Sequence, residues 1–311
     1  MATGDSGYEA RLARAEEERR RRFMRRRIGA GAVVLLAAVW LISSIAGGGG
    51  GRVQPPPVGA AVAAGVHEAR AAASSHAASS AELKREQRAV QSALSYTSYV
   101  TEGSQSAREI ALTFDDGPGP FTPQVLGVLE RMHVPATFFV VGNTLTSFGA
   151  QVPRELAGGF PVEDHTQNHR VMAQLSRKDQ TQELIQQISG IRGLGAPQPT
   201  LFRPPYGSFN ATTLALSKKL KMLPVLWTID TKDFSRPGVP AIEQAVLSGA
   251  KPGAIVLMHD AGGDRSETVA ALPAIIRALR ARHFKLVTVP RLLADDPPLT
   301  IQKAPAAGGG G

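Results

Sequence analysis

Short apolar runs alternate with longer amphipathic stretches from Glu109 onward. The apolar runs predict seven strands, at residues 109–114, 136–141, 160–163, 200–202, 223–229, 254–258 and 285–289. The amphipathic stretches predict five helices, near residues 122–132, 179–193, 210–221, 240–249 and 266–282. Strands that alternate with helices indicate parallel βαβ units. Because the strands are nearly continuous apolar runs, we expect both faces of the sheet to be covered, in an open sheet or a barrel.

Polar residues with ligand or acid–base chemistry follow the predicted strands at the point where each strand ends. They are Asp115, Asp116, His165, Arg203, Asp230 and His259. The carboxyl ends of parallel strands meet at one edge, where open α/β sheets and barrels have their active sites. Residues that serve structure alone would be scattered over both edges and the helices. The pattern therefore predicts a single catalytic site.

The segments TFDDGP and HTQNH supply residues for a metal site. His165 and His169 are four residues apart and would share one face if their segment were helical. Two imidazoles and one carboxylate suit Zn²⁺ and leave positions for water and substrate. Asp115 and Asp116 are neighbours in an extended segment, so we expect their side chains to point to opposite faces. One carboxylate would bind the metal, and the other would take a proton from water.

Two further segments, RPPYG and WTIDTKDF, offer partners for this site. Arg203 can pair with a carboxylate and keep it ionised, and the backbone N–H of Tyr206 is free to face an oxyanion. Asp230 ends one predicted strand, and His259 follows the next. A carboxylate bonded to a catalytic histidine raises the pKa of that histidine and fixes its tautomer. We therefore expect Asp230 to contact His259.

The N-terminal residues predict a membrane anchor. Residues 1–27 carry nine arginines against five acidic residues, and residues 28–46 form a stretch of 19 residues without a charge. As a helix this stretch would span roughly 28 Å, close to the hydrocarbon thickness of a bilayer. The arginines favour a cytoplasmic N-terminus in a single-pass protein of the cell membrane, with the rest of the chain outside. The alternative is a secreted protein cleaved after Ala46, although the apolar run is longer than a usual signal sequence.

The remaining boundaries come from composition. Residues 47–107 combine a Gly- and Pro-rich linker with an Ala-rich stalk, residues 108–295 form the catalytic domain, and residues 296–311 form a disordered tail. Cysteine is absent, which excludes disulfides and thiolate metal sites. The net charge is +9, but the folded part has no basic stripe with interleaved aromatic residues, so we expect no nucleic-acid partner. The sequence points to no particular protein partner.

The chain resembles the polysaccharide deacetylase family, also called the NodB-homology or carbohydrate esterase family 4 domain. The resemblance rests on five motifs that occur in order: TFDDGP, HTQNH, RPPYG, DTKDF and LMH. It extends over about residues 108–295 and implies a distorted (β/α) barrel of about seven parallel strands, preceded here by the predicted transmembrane helix and stalk. It also implies a divalent metal, with Zn²⁺ expected and Co²⁺ or another divalent ion as alternatives.

The family pattern implies a role for each matching residue of the metal and base motifs. Asp115 would be the general base, and Arg203 would hold it. Asp116 would bind the metal together with His165 and His169.

The other motifs imply the acid and the substrate pocket. His259 would be the general acid, tuned by Asp230. The amide of Tyr206 would help to stabilise the oxyanion, and Leu257 and Phe234 would line the pocket for the acetyl group. Many members have Trp where this chain has Phe234, so the shape of the pocket is expected to differ from theirs.

The implied reaction is hydrolysis of an N-acetyl group by water, with protonation of the departing sugar amine by His259. A membrane tether favours N-acetylated sugars of an extracellular polysaccharide, either peptidoglycan or a chitin-like exported polymer. The same site could serve an acetylxylan esterase or a hydrolase of another non-peptide amide. Two alternatives from other classes are a non-catalytic glycan-binding domain and an anchored structural protein that acts through its stalk.

Overall fold

The computed structural model describes residues 80–299 and 302. The predicted cytoplasmic segment 1–27, the anchor 28–46 and the first part of the predicted stalk lie outside these residues. Within the described part of the chain, no helix combines the length and the apolar character needed to cross a membrane. The anchor at 28–46 therefore stays a prediction.

Eight strands form one sheet in which every pair is parallel. They are β1 (Glu109–Asp115), β2 (Thr137–Val140), β3 (Val162–Asp164), β4 (Leu201–Phe202), β5 (Leu223–Pro224), β6 (Ile229–Asp230), β7 (Ala254–His259) and β8 (Lys285–Val287). The order is β5-β4-β3-β2-β1-β7-β6, and β8 pairs with the first half of β1. Among the described residues no ladder joins β5 to β6, so the curved sheet is an open, parallel α/β half-barrel. This agrees with the distorted barrel predicted from the sequence.

The helices of the described residues cover the sheet. They are α1 (residues 80–96), α2 (Thr122–Met132), α3 (Leu145–Phe148), α4 (Val152–Ala157), α5 (Arg177–Gly193), α6 (Ala211–Lys219), α7 (Val239–Gly249), α8 (Ser266–Ala281) and α9 (Val289–Asp295). Several of these helices begin at a polar N-cap residue. The Ser176 side chain accepts the backbone N–H of Asp179 at the start of α5, and Asn210 forms a capping box with Thr213 at the start of α6. Such caps satisfy backbone N–H groups that a helix leaves free at its first turn.

The expected strand at 223–229 is two strands, β5 and β6. The N–H of Leu226 donates to the carbonyl of Val100 over 2.7 Å, so the chain leaves the sheet beyond Pro224 and returns at Ile229. The prediction of one continuous strand was wrong because the partner at Val100 lies far away in the sequence.

Alternate residues of β1 serve two apolar cores on opposite faces of the sheet. Ile110, Leu112 and Phe114 belong to the larger core, together with residues of α2 and α8. Ala111 belongs to a second core, which contains residues of α1 and α9. Since successive side chains of a strand point to opposite faces, this division confirms that both faces of the sheet are covered.

The last part of the predicted stalk belongs to the domain. Four apolar residues before the expected boundary at residue 108 are buried in the second core: Val90, Ala93, Leu94 and Val100. The N–H of Val100 donates to Pro224 O over 2.9 Å, and the N–H of Gly103 donates to Gly253 O over 2.8 Å. This segment therefore links β5 to the start of β7. The boundary at 108 was wrong because these apolar residues gain a partner surface only after the sheet has formed.

The predicted tail at 296–311 also begins too early. Asp296 is fully buried, and its carboxylate accepts hydrogen bonds from the hydroxyls of Ser104 and Ser106. The Tyr96 hydroxyl donates to Pro298 O over 3.0 Å. Residues 300, 301 and 303–311 lie outside the described residues.

Candidate active site

The carboxyl ends of the strands carry the predicted site residues and border one cavity. Asp115 and His259 are the last residues of β1 and β7, and the register pairs them directly. His165 follows the end of β3, and Arg203 follows the end of β4. The cavity has a volume of about 650 Å³, and its walls include all the predicted site residues except Arg203. Arg203 lies fully buried behind the wall.

Asp116, His165 and His169 converge as the sequence predicts. One ligand atom from each lies within 4.8 Å of the others. His165 Nε2 is 3.6 Å from Asp116 Oδ1, and His169 Nε2 is 3.2 Å from the same oxygen. Three donors of this kind, in the wall of the cavity, could hold a metal ion and leave coordination positions for water and substrate.

The protonation of these groups fits a divalent cation. Asp116 Oδ1 is buried and has no hydrogen-bond donor within the described part of the chain. Burial raises the pKa of Asp116, but its interactions with the imidazoles of His165, His259 and His169 outweigh that effect and hold the pKa below its usual value. Burial and the neighbouring His165 lower the pKa of His169 to about 4, against the opposing charges of the aspartates. A charged carboxylate and a neutral imidazole are the forms that bind metals.

Hydrogen bonds behind the imidazoles direct their Nε2 atoms into the site. His165 Nδ1 lies 2.7 Å from the carbonyl oxygen of Arg203, to which it can only donate. His169 Nδ1 lies 3.2 Å from the Tyr206 hydroxyl. Such partners fix the orientation and tautomer of a metal-binding histidine. The donor set therefore suits Zn²⁺ or a similar ion.

The HTQNH segment is a loop and not a helix, contrary to the sequence expectation. Thr166 and His169 have left-handed backbone angles, with φ values of 69° and 53°. His169 approaches Asp116 because the loop turns back on itself, so the four-residue spacing does not reflect a helical face.

Asp115 and Asp116 also differ from their expected arrangement. Asp116 has a φ of 72°, which takes it out of the extended conformation. His165 Nε2 lies 3.6 Å from Asp115 Oδ2 as well as from Asp116 Oδ1. The two carboxylates therefore face the same space, and the prediction of opposite faces was wrong.

Arg203 makes the predicted contact with Asp115. Its Nη1 donates to Asp115 Oδ1 over 2.7 Å and to the Thr113 hydroxyl over 2.7 Å. The guanidinium carbon lies 4.2 Å from the centre of the Phe139 ring, a cation–π contact in a fully buried site. Burial lowers the pKa of Arg203, and the neighbouring Asp115 opposes that change. Asp115 Oδ1 is thus occupied by Arg203, while Oδ2 faces the metal ligands.

The carboxylate that contacts His259 is Asp233, and the predicted partner Asp230 was wrong. Asp233 Oδ1 lies 2.7 Å from His259 Nδ1. Asp230 lines the cavity, and its Oδ1 accepts the backbone N–H of Lys232 over 2.9 Å. The register explains the difference, because Asp230 pairs with Leu257. The following turn then carries Asp233 to His259.

The contact between Asp233 and His259 favours the protonated imidazole. Burial lowers the pKa of His259, but the charge and hydrogen bond of Asp233 outweigh it and raise the pKa to about 9. Burial raises the pKa of Asp233, but the interactions with His259 and the Thr268 hydroxyl outweigh that effect. The pKa of Asp233 therefore lies below its usual value. A protonated imidazole beside the cavity can act as a general acid.

The remaining predicted residues line the cavity. Leu257 is buried, Phe234 is half-buried with its ring 5.6 Å from that of His259, and the Tyr206 side chain is exposed. Tyr206 has a φ of 59° in a 3₁₀ turn at Pro205–Gly207. The sequence interpretation overlooked several other wall residues, including Asn143, Trp227, Lys232 and Arg265. Trp227 lies within the quoted WTIDTKDF segment, which was the available signal.

Comparison with known proteins places this site in a family. The profile described as polysaccharide deacetylase matches residues 102–225. A chitooligosaccharide deacetylase of Sinorhizobium fredii is 37% identical over 211 residues, which cover 64% of this chain and 98% of that protein. The chain belongs to the polysaccharide deacetylase family. The family resemblance and the prediction of an enzyme of this type are thereby confirmed.

Two further polysaccharide deacetylases extend the comparison. A peptidoglycan-N-acetylglucosamine deacetylase of Bacillus cereus is 39% identical over 201 residues, which cover 63% of this chain and 94% of that protein. A crystal structure of a peptidoglycan N-acetylglucosamine deacetylase in complex with 4-naphthalen-1-yl-N-oxidanyl-benzamide superposes with a TM-score of 0.62 at 31% identity. That match covers 63% of this chain and 92% of the other. The roles of individual residues in the present chain stay predictions.

Proposed function

We propose that this polysaccharide deacetylase is a divalent-metal-dependent hydrolase that removes N-acetyl groups from N-acetylglucosamine units of an extracellular polysaccharide. The main support is the convergence of three preorganised groups on one cavity. These are the metal ligand set, the carboxylate of Asp115 held by Arg203, and the imidazole of His259 held by Asp233. A base, an acid and a metal position together are what amide hydrolysis requires.

Asp116, His165 and His169 would hold the ion. A bound divalent cation would act as a Lewis acid toward the substrate carbonyl and would make water more acidic. We expect Zn²⁺, because the site combines two imidazoles with one carboxylate.

Asp115 is the proposed general base. Its Oδ1 is fixed by Arg203, so only Oδ2 is free to accept a proton from the attacking water. The fixed orientation lowers the entropy cost of reaching the reactive geometry. The backbone N–H of Tyr206 is proposed to donate to the oxyanion as negative charge develops on the carbonyl oxygen.

His259 is the proposed general acid. Its Nδ1 is bonded to Asp233, so its Nε2 is the atom able to donate to the departing sugar nitrogen. The products are acetate and a free amine. Leu257 and Phe234 would form the apolar wall beside the acetyl methyl group.

The polymer is proposed from the relatives, which are described as deacetylases of chitooligosaccharide and of peptidoglycan. The predicted anchor at 28–46 would hold the enzyme beside the cell wall, with the catalytic domain outside the membrane. Peptidoglycan is therefore the favoured substrate, with a chitin-like exported polymer as the alternative.

The test is incubation of the full chain, loaded with Zn²⁺, with peptidoglycan fragments, chitooligosaccharides and acetylated xylan. Mass spectrometry would detect the loss of acetyl groups, and an acetate assay would quantify it. Asp116→Ala is the matched control, because it removes a metal ligand and leaves the rest of the cavity in place. Loss of acetyl from xylan alone would favour an esterase. Binding to the glycans without release of acetate would favour a glycan-binding domain.

The location has a separate test. Fusion of a reporter that is active only outside the cytoplasm to the C-terminus should give signal in cells. Mass spectrometry of the N-terminus of the mature protein would distinguish the retained anchor from cleavage after Ala46. Signal from a C-terminal reporter that is active only in the cytoplasm would contradict the proposed location.

A further inference from the structure

The candidate metal ligand His169 lies in an irregular loop after β3. His165 directly follows β3 and is fully buried, whereas His169 lies four residues further along and is partly exposed. Both Thr166 and His169 have positive φ angles, which residues with a side chain disfavour. Hydrogen bonds offset this cost: within the loop, the backbone N–H of His169 donates to the Thr166 hydroxyl over 3.1 Å, and other groups bond the loop from outside.

Glu183, in the second turn of α5, bonds the middle of the loop, and the backbone N–H groups of Gly142 and Asn143 bond its carbonyl oxygens. Glu183 Oε2 accepts the backbone N–H of Asn168 over 2.7 Å, and its Oε1 accepts the Asn168 side-chain amide over 3.0 Å. Its own carbonyl oxygen accepts the N–H of Gln167 over 3.0 Å. Two consecutive N–H groups between the metal-binding histidines are thus bonded to one residue of a helix.

Glu183 lies on the buried side of its helix. Glu183 itself is 3% exposed, and the adjacent Leu184 is fully buried. Asn168, in contrast, is exposed. Within the described residues, no protein group except Glu183 forms a hydrogen bond with Asn168. A carboxylate that accepts two hydrogen bonds from one residue is a strong and directional anchor.

We propose that Glu183 is a positioning residue for the metal centre. Its hydrogen bonds hold the 166–169 loop so that His169 Nε2 faces Asp116. This inference rests on the metal site described above, where His169 Nε2 and Asp116 Oδ1 are 3.2 Å apart. Outer contacts of this kind typically change metal affinity by about 10- to 100-fold when they are removed.

The contact between Glu183 and Asn168 can be broken and rebuilt. In Glu183→Gln, rotation of the Asn168 amide lets Asn168 Oδ1 accept from the new amide, so both bonds can persist. In Asn168→Asp, two carboxylates face each other and repel. In the double variant Asn168→Asp with Glu183→Gln, the carboxylate at 168 accepts from the amide at 183, and the amide oxygen accepts the backbone N–H of residue 168.

The experiment measures Co²⁺ and Zn²⁺ affinity of the full chain after removal of bound metal. Co²⁺ titration is followed by visible absorption, which reports the ligand set as well as the dissociation constant. We expect Glu183→Ala and Asn168→Asp to weaken binding by about 10- to 100-fold. We expect Glu183→Gln and the double variant to bind close to the wild type. Glu130→Ala is the control. It removes the carboxylate of α2 that pairs with Arg154, and this variant should bind both ions as tightly as the wild type.

Thermal unfolding of the metal-free variants separates a positioning role from a loss of fold. Equal metal affinity in Glu183→Ala and the wild type would overturn the inference, as would a double variant no better than Asn168→Asp. A wild-type chain that binds neither ion would instead contradict the proposed metal-dependent function. The two failures are therefore distinguishable.

Discussion

Asp233 holds His259 at two points. Its Oδ1 lies 2.7 Å from the imidazole Nδ1, and its Oδ2 accepts the backbone N–H of the same residue over 2.8 Å. The Thr268 hydroxyl donates to Oδ2 over 2.7 Å, and the Thr231 hydroxyl lies 3.1 Å from Oδ1 but closer, at 2.8 Å, to the carbonyl oxygen of Leu257. Both oxygens of the carboxylate are therefore hydrogen-bonded, and both the orientation and the charge of the imidazole depend on it.

We expect Asp233→Asn to move the basic limb of the pH–rate profile to lower pH. Burial lowers the pKa of His259, and Asp233 overcomes that effect to raise it to about 9. With the raised pKa, the imidazole keeps its proton, and can donate it, up to that pH. Loss of the carboxylate charge lowers the pKa, so the donor is lost at a lower pH. The measurement is kcat/KM from neutral to alkaline pH.

Asp230→Asn is the matched control for this experiment. Asp230 lies in the same segment and lines the same cavity, but its carboxylate bonds the N–H of Lys232. Its substitution should leave the position of the basic limb unchanged, whatever its effect on the rate. An equal displacement of the limb in both variants would contradict the assignment of Asp233.

Asp115→Asn should separate catalysis from metal binding. The amide cannot accept a proton from water as a carboxylate does, so we expect kcat to fall by about 10²- to 10⁴-fold. The metal content should stay at the wild-type level, because Asp115 is not one of the three grouped ligands. Metal analysis and acetate release on the same preparation test both statements. Full activity with normal metal content would exclude Asp115 as the base.

Leu94→Ala should destabilise the domain, although it lies before the boundary expected from sequence. Leu94 is 7% exposed in the second core, and removal of such a side chain costs about 2–5 kcal/mol of unfolding free energy. Leu83, on the same helix, is 60% exposed, so Leu83→Ala should change the free energy of unfolding by less than about 0.5 kcal/mol. Denaturant unfolding of both variants is the measurement. Equal stability of the two would mean that α1 does not contribute to the fold.

Gly262→Ala should weaken metal binding. A Cβ on Gly262 would lie 2.5 Å from Asp116 Oδ2, so the carboxylate would have to leave the position in which its Oδ1 lies near the histidines. Gly159→Ala is the control, since Gly159 has a φ of 75° against 74° at Gly262 but has nothing within 4 Å of the added carbon. Both variants place alanine at a similar positive φ, and only Gly262→Ala should lose affinity for Zn²⁺. Similar losses in both would show that strain, and not displacement of Asp116, is the cause.

Much of the fold could be predicted from periodicity. The first helix expected after β1, at 122–132, has those bounds in the structure, and the predicted strand 109–114 is one residue short of β1. These elements are local patterns of apolar and polar residues, so neighbouring residues carry the information. The run at 223–229 was misjudged because its apolar residues suit both a strand and a segment that packs against Val100.

The residue types of the candidate site could also be predicted from the motifs, but the contacts between those residues could not. Asp230 and Asp233 are three residues apart in DTKDF, and either could have been the partner of His259. The choice depends on a strand register that places Asp230 beside Leu257. Similarly, the left-handed backbone at Asp116 and His169 brings together side chains that regular periodicity would separate.

The order of the motifs along the chain was sufficient to predict the family and a candidate chemistry: one metal ligand set, one candidate base and one candidate acid at the ends of parallel strands. The partner of His259, the convergence of Asp115 and Asp116, and the inclusion of α1 in the domain became apparent only in the folded molecule. Composition and periodicity are properties of neighbouring residues. Strand register, backbone turns and burial against a remote surface depend on contacts between residues far apart in sequence, and no local pattern specifies them.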